Sequence, residues 1–159
     1  MKTIIVTGEQ ILRAIEHGKE ITAPNINGRE TLSAKTKLDI ARLFLQLEKE
    51  QKALQVIRQQ CIENHNLDGL IKSRDELISA RLDGDPAQQK QTEEKIKDIA
   101  KQIAIAEQKV NTDIDAVLKV ELDINAPTIP EHAFEQLDVS IKCVMALEPF
   151  IEPTANNAS

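Results

Sequence analysis

Two stretches of this chain place an apolar residue at every seventh position, and that repeat limits what the chain can fold into. In residues 33–64, Ile40, Leu47, Leu54 and Cys61 fall seven apart, with Leu43 and Ile57 three places after two of them. In residues 86 to about 117, Ile96, Ile103, Val110 and Val117 repeat in the same way, with Ile99 and Ala106 three places after the first two. Side chains at that spacing line one stripe of a helix. Two stripes of similar length with a turn-rich connection predict a long antiparallel helical hairpin. Glu50 and Asp113 occupy positions where the seam calls for apolar residues. Facing inward, they need partners or water; otherwise they sit at the seam's edge or mark where a partner docks. The hairpin is therefore expected to pack on something else as well, rather than form an ideal coiled coil.

The flanking segments predict a small β-sheet base, so the expected class is mainly α with a minor α+β component. Residues 3–6 are a β-branched run that reads as a short strand. Thr7 or Gly8 then caps a helix over 9–17, with Ile11, Leu12 and Ile15 on one face and Gly18 as its stop. Residues 20–23 read as a second short strand, and Pro24 to Gly28 as a turn. Thr31 or Ser33 starts the first long helix. Asn64, His65, Asn66 and Gly69 either break it or bend it on the way through Leu70, Ile71, Leu77 and Ile78. The tip of the hairpin is expected at residues 82–86, with Gly84 as C-cap, Asp85 as N-cap, Pro86 at the first helical position and Gln88 closing a capping box.

Beyond Val117 the period changes. Leu118, Val120, Leu122 and Ile124 alternate with Lys119, Glu121 and Asp123, a half-buried strand pattern. This strand is expected to pair with residues 3–6, and residues 20–23 are a second candidate partner. Pro130 opens a short helix with Phe134 and Leu137 inward. Asp138 or Ser140 begins another, offering Val139, Ile141, Val144 and Leu147 for burial, and Phe150 and Ile151 pack back as an anchor. The expected organisation is one domain over residues 1–153: a hairpin at about 33–117 on a base formed by 2–30 and 118–152, with 154–159 a disordered tail.

Composition narrows the function classes. The chain has 159 residues and a formal net charge of -6, with both signs mixed along its helices, so no basic patch favours nucleic acid. Three Phe and no Trp or Tyr leave no platform for stacking bases. The apolar runs fall well short of the roughly 20 residues a membrane span needs, and the first residues lack the form of a signal peptide. Cys61 and Cys143 sit in helical apolar patterns and read as buried, reduced thiols of a protein made in the cytosol. The expectation is therefore no nucleic acid, no membrane, no cofactor and no metal.

No constellation of catalytic residues stands out. His17, His65 and His132 lie in different segments, without the i, i+4 spacing of a helical metal site. Glu48 with Glu50, and Glu93 with Glu94, read as solvated helix faces with charged neighbours such as Lys97 and Lys101. Cys61 lacks a nearby base. No catalytic, cofactor-binding or metal residue is assigned, and an enzyme is not expected.

The order of elements carries a resemblance. It runs from Gly8-Glu9-Gln10-Ile11-Leu12 through Leu32-Ser33-Ala34-Lys35-Thr36 and Leu47-Glu48-Lys49-Glu50. It continues through Val117-Leu118-Lys119-Val120-Glu121-Leu122-Asp123-Ile124 and ends on Met145-Ala146-Leu147-Glu148-Pro149-Phe150-Ile151-Glu152. The chain resembles a family of small uncharacterised tailed-bacteriophage proteins, first noted in lactococcal phages as a domain of unknown function. The segment at residues 67–85 is longer than in the family's compact members. The resemblance implies a virion structural protein, made in the host bacterial cytoplasm. It would bind other phage structural proteins, with several copies in a symmetric assembly. The alternatives are an assembly chaperone absent from the mature particle, or a host-directed inhibitor. Leu43, Leu47, Leu54, Ile57, Ile99, Ile103 and Val110 are the expected packing residues.

Overall fold

A computed structural model describes residues 1–23, 25–81 and 85–153. Pro24, residues 82–84 of the tip expected at 82–86 (with Gly84 as its cap), and the tail at 154–159 lie outside the described residues. The chain is mainly helical, with a small two-stranded antiparallel sheet. It divides into two compact units. The first holds Met1–Leu54 and the chain from Leu118 onward, and the second is Gln55–Val117.

The first unit begins with strand β1 (Lys2–Thr7), which pairs antiparallel with β2 (Glu121–Ala126). The register sets Ile4 opposite Ile124 and Val6 opposite Leu122, so the apolar alternation of both strands faces one side. Val6, Ile124 and Ala126 are buried there, while Ile5 and Asp123 face away. Alternation in the sequence put Leu118 and Val120 into this strand. Instead Leu118 ends a helix and Val120 is exposed, because the strand starts only at Glu121.

Thr7 ends β1 and caps helix α1 (Gly8–Gly18) with a full capping box. The Gln10 amide donates to the Thr7 hydroxyl, and the Thr7 amide donates to Gln10 Oε1. Ile11, Ala14 and Ile15 form the buried face of α1. Gly18 is not the left-handed stop expected of it, since its φ of -73° is helical. A Cβ there would lie 2.8 Å from Leu147 Cδ2 and 3.2 Å from the Phe44 ring, so Gly18 is glycine because two side chains pack onto its backbone.

Residues 19–22 form a 3-10 turn (Lys19–Thr22), not a strand, with Ile21 buried. Arg29, from a second such turn (Arg29–Thr31), donates to the carbonyls of Thr22 and Ala23, placing a cation on the carbonyls that end the first turn. Gly28 does take a left-handed φ, 83°. Any Cβ there would also collide with the Gln136 carbonyl, 1.6 Å away.

Helix α2 (Ala34–Asn64) starts at Ser33, whose hydroxyl accepts from the Thr36 amide at 3.0 Å. Ile40, Leu43, Phe44, Leu47 and Leu54 are buried along it. Full burial of an aliphatic side chain such as Leu43 or Leu47 contributes about 1.5–3 kcal/mol.

The remaining elements of this unit close its core. β3 (Ile129–Pro130) pairs in parallel with β4 (Ile151–Glu152), so Pro130 belongs to a strand and the short helix α5 (His132–Gln136) starts after it. Ala133 and Leu137 are buried, and Phe134 is half-buried. Ser140 caps helix α6 (Ile141–Leu147), accepting from the Cys143 amide. Cys143, Ala146 and Leu147 face the core against α1, and Phe150, in a final 3-10 turn (Glu148–Phe150), is wholly buried. Val139 and Val144 are half-buried, but Ile141 is 78% exposed rather than buried. The pitch of a seven-residue helix that turns Cys143, Ala146 and Leu147 inward carries Ile141 and Met145 outward.

In the second unit α2 breaks at Asn66, which takes a left-handed φ of 50°, and helix α3 (Leu67–Arg81) restarts directly. Asp85 then caps α4 (Pro86–Leu118), accepting from the Ala87 and Gln88 amides, with Pro86 first in the helix. Ile103, Ala106, Val110 and Cys61 are buried, while Ile57, Ile96, Ile99 and Val117 are half-buried. His65 Nε2 donates to Asp113 Oδ2 at 2.8 Å, which brings the α2–α3 break beside the last part of α4.

Candidate functional site

The two carboxylates out of place in the seam are both held by side chains. Asp113 pairs with His65, and Glu50 accepts from the Gln46 amide at 2.7 Å, one turn earlier. The paired glutamates are scattered: Glu48 is 3.7 Å from Lys19, and Glu93 is 3.9 Å from Lys97. Asp98 lies 3.7 Å from Lys101. These are exposed pairs, each contributing well under about 1 kcal/mol. Among the described residues no three His, Cys, Asp or Glu side chains come together as a metal site, and no helix is long and apolar enough to cross a membrane.

Both cysteines are free and buried. Cys143 lies against α1, with its Sγ 3.8 Å from the Gly18 carbonyl. Burial pushes its thiol up to about 11. A backbone hydrogen bond at Ile21 pulls the other way, and the Glu20 carboxylate adds to the rise. A thiol held in its neutral form is a packing group, not a nucleophile at neutral pH.

What sequence reasoning missed is the outward apolar surface of the first unit. Ile141 and Met145 stand one turn apart on α6, 78% and 66% exposed. On α2, Leu38 and Leu45 stand two turns apart, 48% and 68% exposed, with exposed Ala41 between them. Single exposed aliphatics are ordinary, but pairs on one helix face are less so. The foundation under α6 is firm. Glu20 accepts from both the Ser140 amide (2.9 Å) and the Ser140 hydroxyl (2.6 Å), fixing the start of the helix. The signal was present in the sequence, because i, i+4 spacing puts Ile141 and Met145 together. The choice of face was settled only by Gly18, which lets Leu147 in.

No family model, no curated protein and no solved structure matches the chain.

Proposed function

We propose that the chain is a bacteriophage structural protein that acts in the particle as a non-enzymatic protein–protein interaction module. The observation that carries the interaction role is the Ile141–Met145 pair, two large apolar side chains presented outward on a helix whose start is fixed by Glu20 and Ser140. Ordered, exposed apolar groups of this kind are the usual material of a contact surface. The Leu38–Leu45 face of α2 adds to it. The phage setting is supported by the resemblance in element order, with synthesis in the host bacterial cytoplasm and residence in the virion. Other phage structural proteins are the partners, and several copies in a symmetric assembly would repeat the contact.

An assembly chaperone that leaves before the particle matures is favoured by a different observation. Helix α3 carries Leu67, Leu70, Ile71, Leu77 and Ile78, yet none of its residues is buried. A partly covered apolar helix suits a clamp on an unassembled partner.

Quantitative peptide mass spectrometry on purified particles tests the choice. Detection at a copy number that is a multiple of the particle's symmetry supports the virion reading. Abundance in infected cells with absence from particles overturns it in favour of the chaperone.

A further inference from the structure

A groove of about 630 Å³ opens in the first unit between the start of α2, the segment 127–132, and the paired Lys2 and Glu152. Its charged and titratable side chains are Lys2, Lys35, Asp39, Arg42, His132 and Glu152, and Met1 also lines it. Lys2 is spent on Glu152, to which it is ion-paired. Lys35 and Arg42 have no hydrogen bond or ion pair among the described residues, and both are exposed. They lie on one face of α2, seven residues apart, which is about 10.5 Å along a helix axis. Asp39 sits between them, half-buried.

The groove sets the cations Lys2, Lys35 and Arg42 against the carboxylates Asp39 and Glu152. Lys2 and the Thr128 hydroxyl, 2.8 Å away, hold the Glu152 carboxyl below the ordinary carboxylate range, and the charge of Lys35 adds to that. In a chain with a net charge of -6, an open groove presenting two exposed cations with no hydrogen bond or ion pair among the described residues goes against the overall charge.

We propose that this groove binds an extended acidic segment of a partner protein, with two of its carboxylates seated on Lys35 and Arg42. The spacing selects the segment. In a polyproline II conformation, residues three apart fall on one side and are separated by about 9.3 Å, close to the separation of the two cations. Asp39 repels a further carboxylate between them, so the preferred pattern is acid-x-x-acid with uncharged or basic residues at x. The half-buried ring of Pro130 offers apolar contact to such a segment. The proposal rests on the reading of the chain as an interaction protein.

The test is a titration of the full chain with an acetylated, amidated peptide of sequence Gly-Pro-Glu-Pro-Pro-Glu-Pro-Gly, followed by NMR shifts or calorimetry at low salt. Saturable binding is expected, weakened at least about fivefold in K35Q/R42Q and strengthened in D39N, with each variant's melting temperature unchanged. Binding that is absent, or insensitive to K35Q/R42Q, overturns the proposal. So does equal or tighter binding of inorganic phosphate or a short oligonucleotide, which would make the groove a general anion site. The titration uses the isolated chain, so its failure is distinct from absence of the protein in particles.

Discussion

His65 Nε2 and Asp113 Oδ2 lie 2.8 Å apart, although 48 residues separate them in the chain. Asp113 continues the apolar repeat of α4 from Ile103, Ala106 and Val110, and His65 stands next to the left-handed Asn66 where α2 ends. A carboxylate on the seam thus holds the joint between two helices. Removing either partner is expected to cost about 0.5–1.5 kcal/mol. In a double-mutant cycle, H65A/D113A should lose little more than D113A alone. Fully additive losses in denaturant unfolding would show that the two side chains do not interact in solution.

The seam itself is tested by charge insertion. Ile103 is 6% exposed and Leu54 is 9% exposed, whereas Ile105, two positions on in α4, is 55% exposed. I103D and L54D each bury an uncompensated carboxylate and should lower stability by more than about 3 kcal/mol. I105D should stay within about 0.5 kcal/mol of the parent. Thermal melts followed by circular dichroism separate the two classes, and comparable melting of I103D and I105D would refute the assignment of the buried stripe.

Two glycines make opposite predictions from those of helix propensity. In an ordinary helix, alanine for glycine stabilises by up to about 1 kcal/mol. At Gly18 the added methyl meets Leu147 Cδ2 at 2.8 Å, so G18A should destabilise. At Gly28 the left-handed backbone and the Gln136 carbonyl act together, and G28A should be the worse of the two. A G18A protein that melts higher than the parent would contradict the close packing of α1 on α6.

Much of this architecture was legible because it depends on local chemistry. Asp85 caps its helix as expected, and of each pair of candidates the structure uses Thr7 rather than Gly8, Ser33 rather than Thr31, and Ser140 rather than Asp138. Of the expected packing residues, Leu43, Leu47, Ile103 and Val110 are buried. Misreadings came from tertiary context. The 3-10 turn at Lys19–Thr22 has β-like residues, but Arg29 and Ser140 recruit its carbonyls and the Glu20 carboxylate into a tight turn. The parallel β3–β4 pair is only two residues long on each side, too short for any period to show. Ile141 looked like core by hydrophobicity alone, and its exposure depends on which face α6 turns to Gly18. No sequence signal marked the groove beside Lys35 and Arg42, because its other wall comes from residues more than 80 positions away.

Cys143 gives a dependence on alkaline pH. Its folded thiol titrates at about 11, above its usual 9.0. The folded state therefore holds a proton that the unfolded state gives up between those values. That contribution to stability is complete below pH 9 and is lost as the pH rises towards 11. The parent should lose more stability than C143A between pH 8.5 and 10.5, and native Cys143 should react slowly with iodoacetamide. Rapid alkylation at pH 8 would contradict the burial.

Glu152 works in the opposite direction. Held low by Lys2 and Thr128, its carboxylate contributes stability above the ordinary carboxylate pKa, and the contribution fades as the pH falls through its depressed value. E152Q should flatten the acid limb of the melting profile slightly, because the group is exposed and its pairing is screened by solvent. An acid limb identical in E152Q and the parent would show that Lys2 and Glu152 do not pair in solution.

The outward face of α6 is tested most directly by incorporation. The I141S/M145S variant should keep the parent's helicity and melting temperature, because both side chains already face solvent. Expressed during infection in place of the parent, it should be depleted from purified particles at least tenfold, measured by quantitative mass spectrometry against the major capsid protein. Incorporation at the parent's copy number would contradict the assignment of this face as the contact surface.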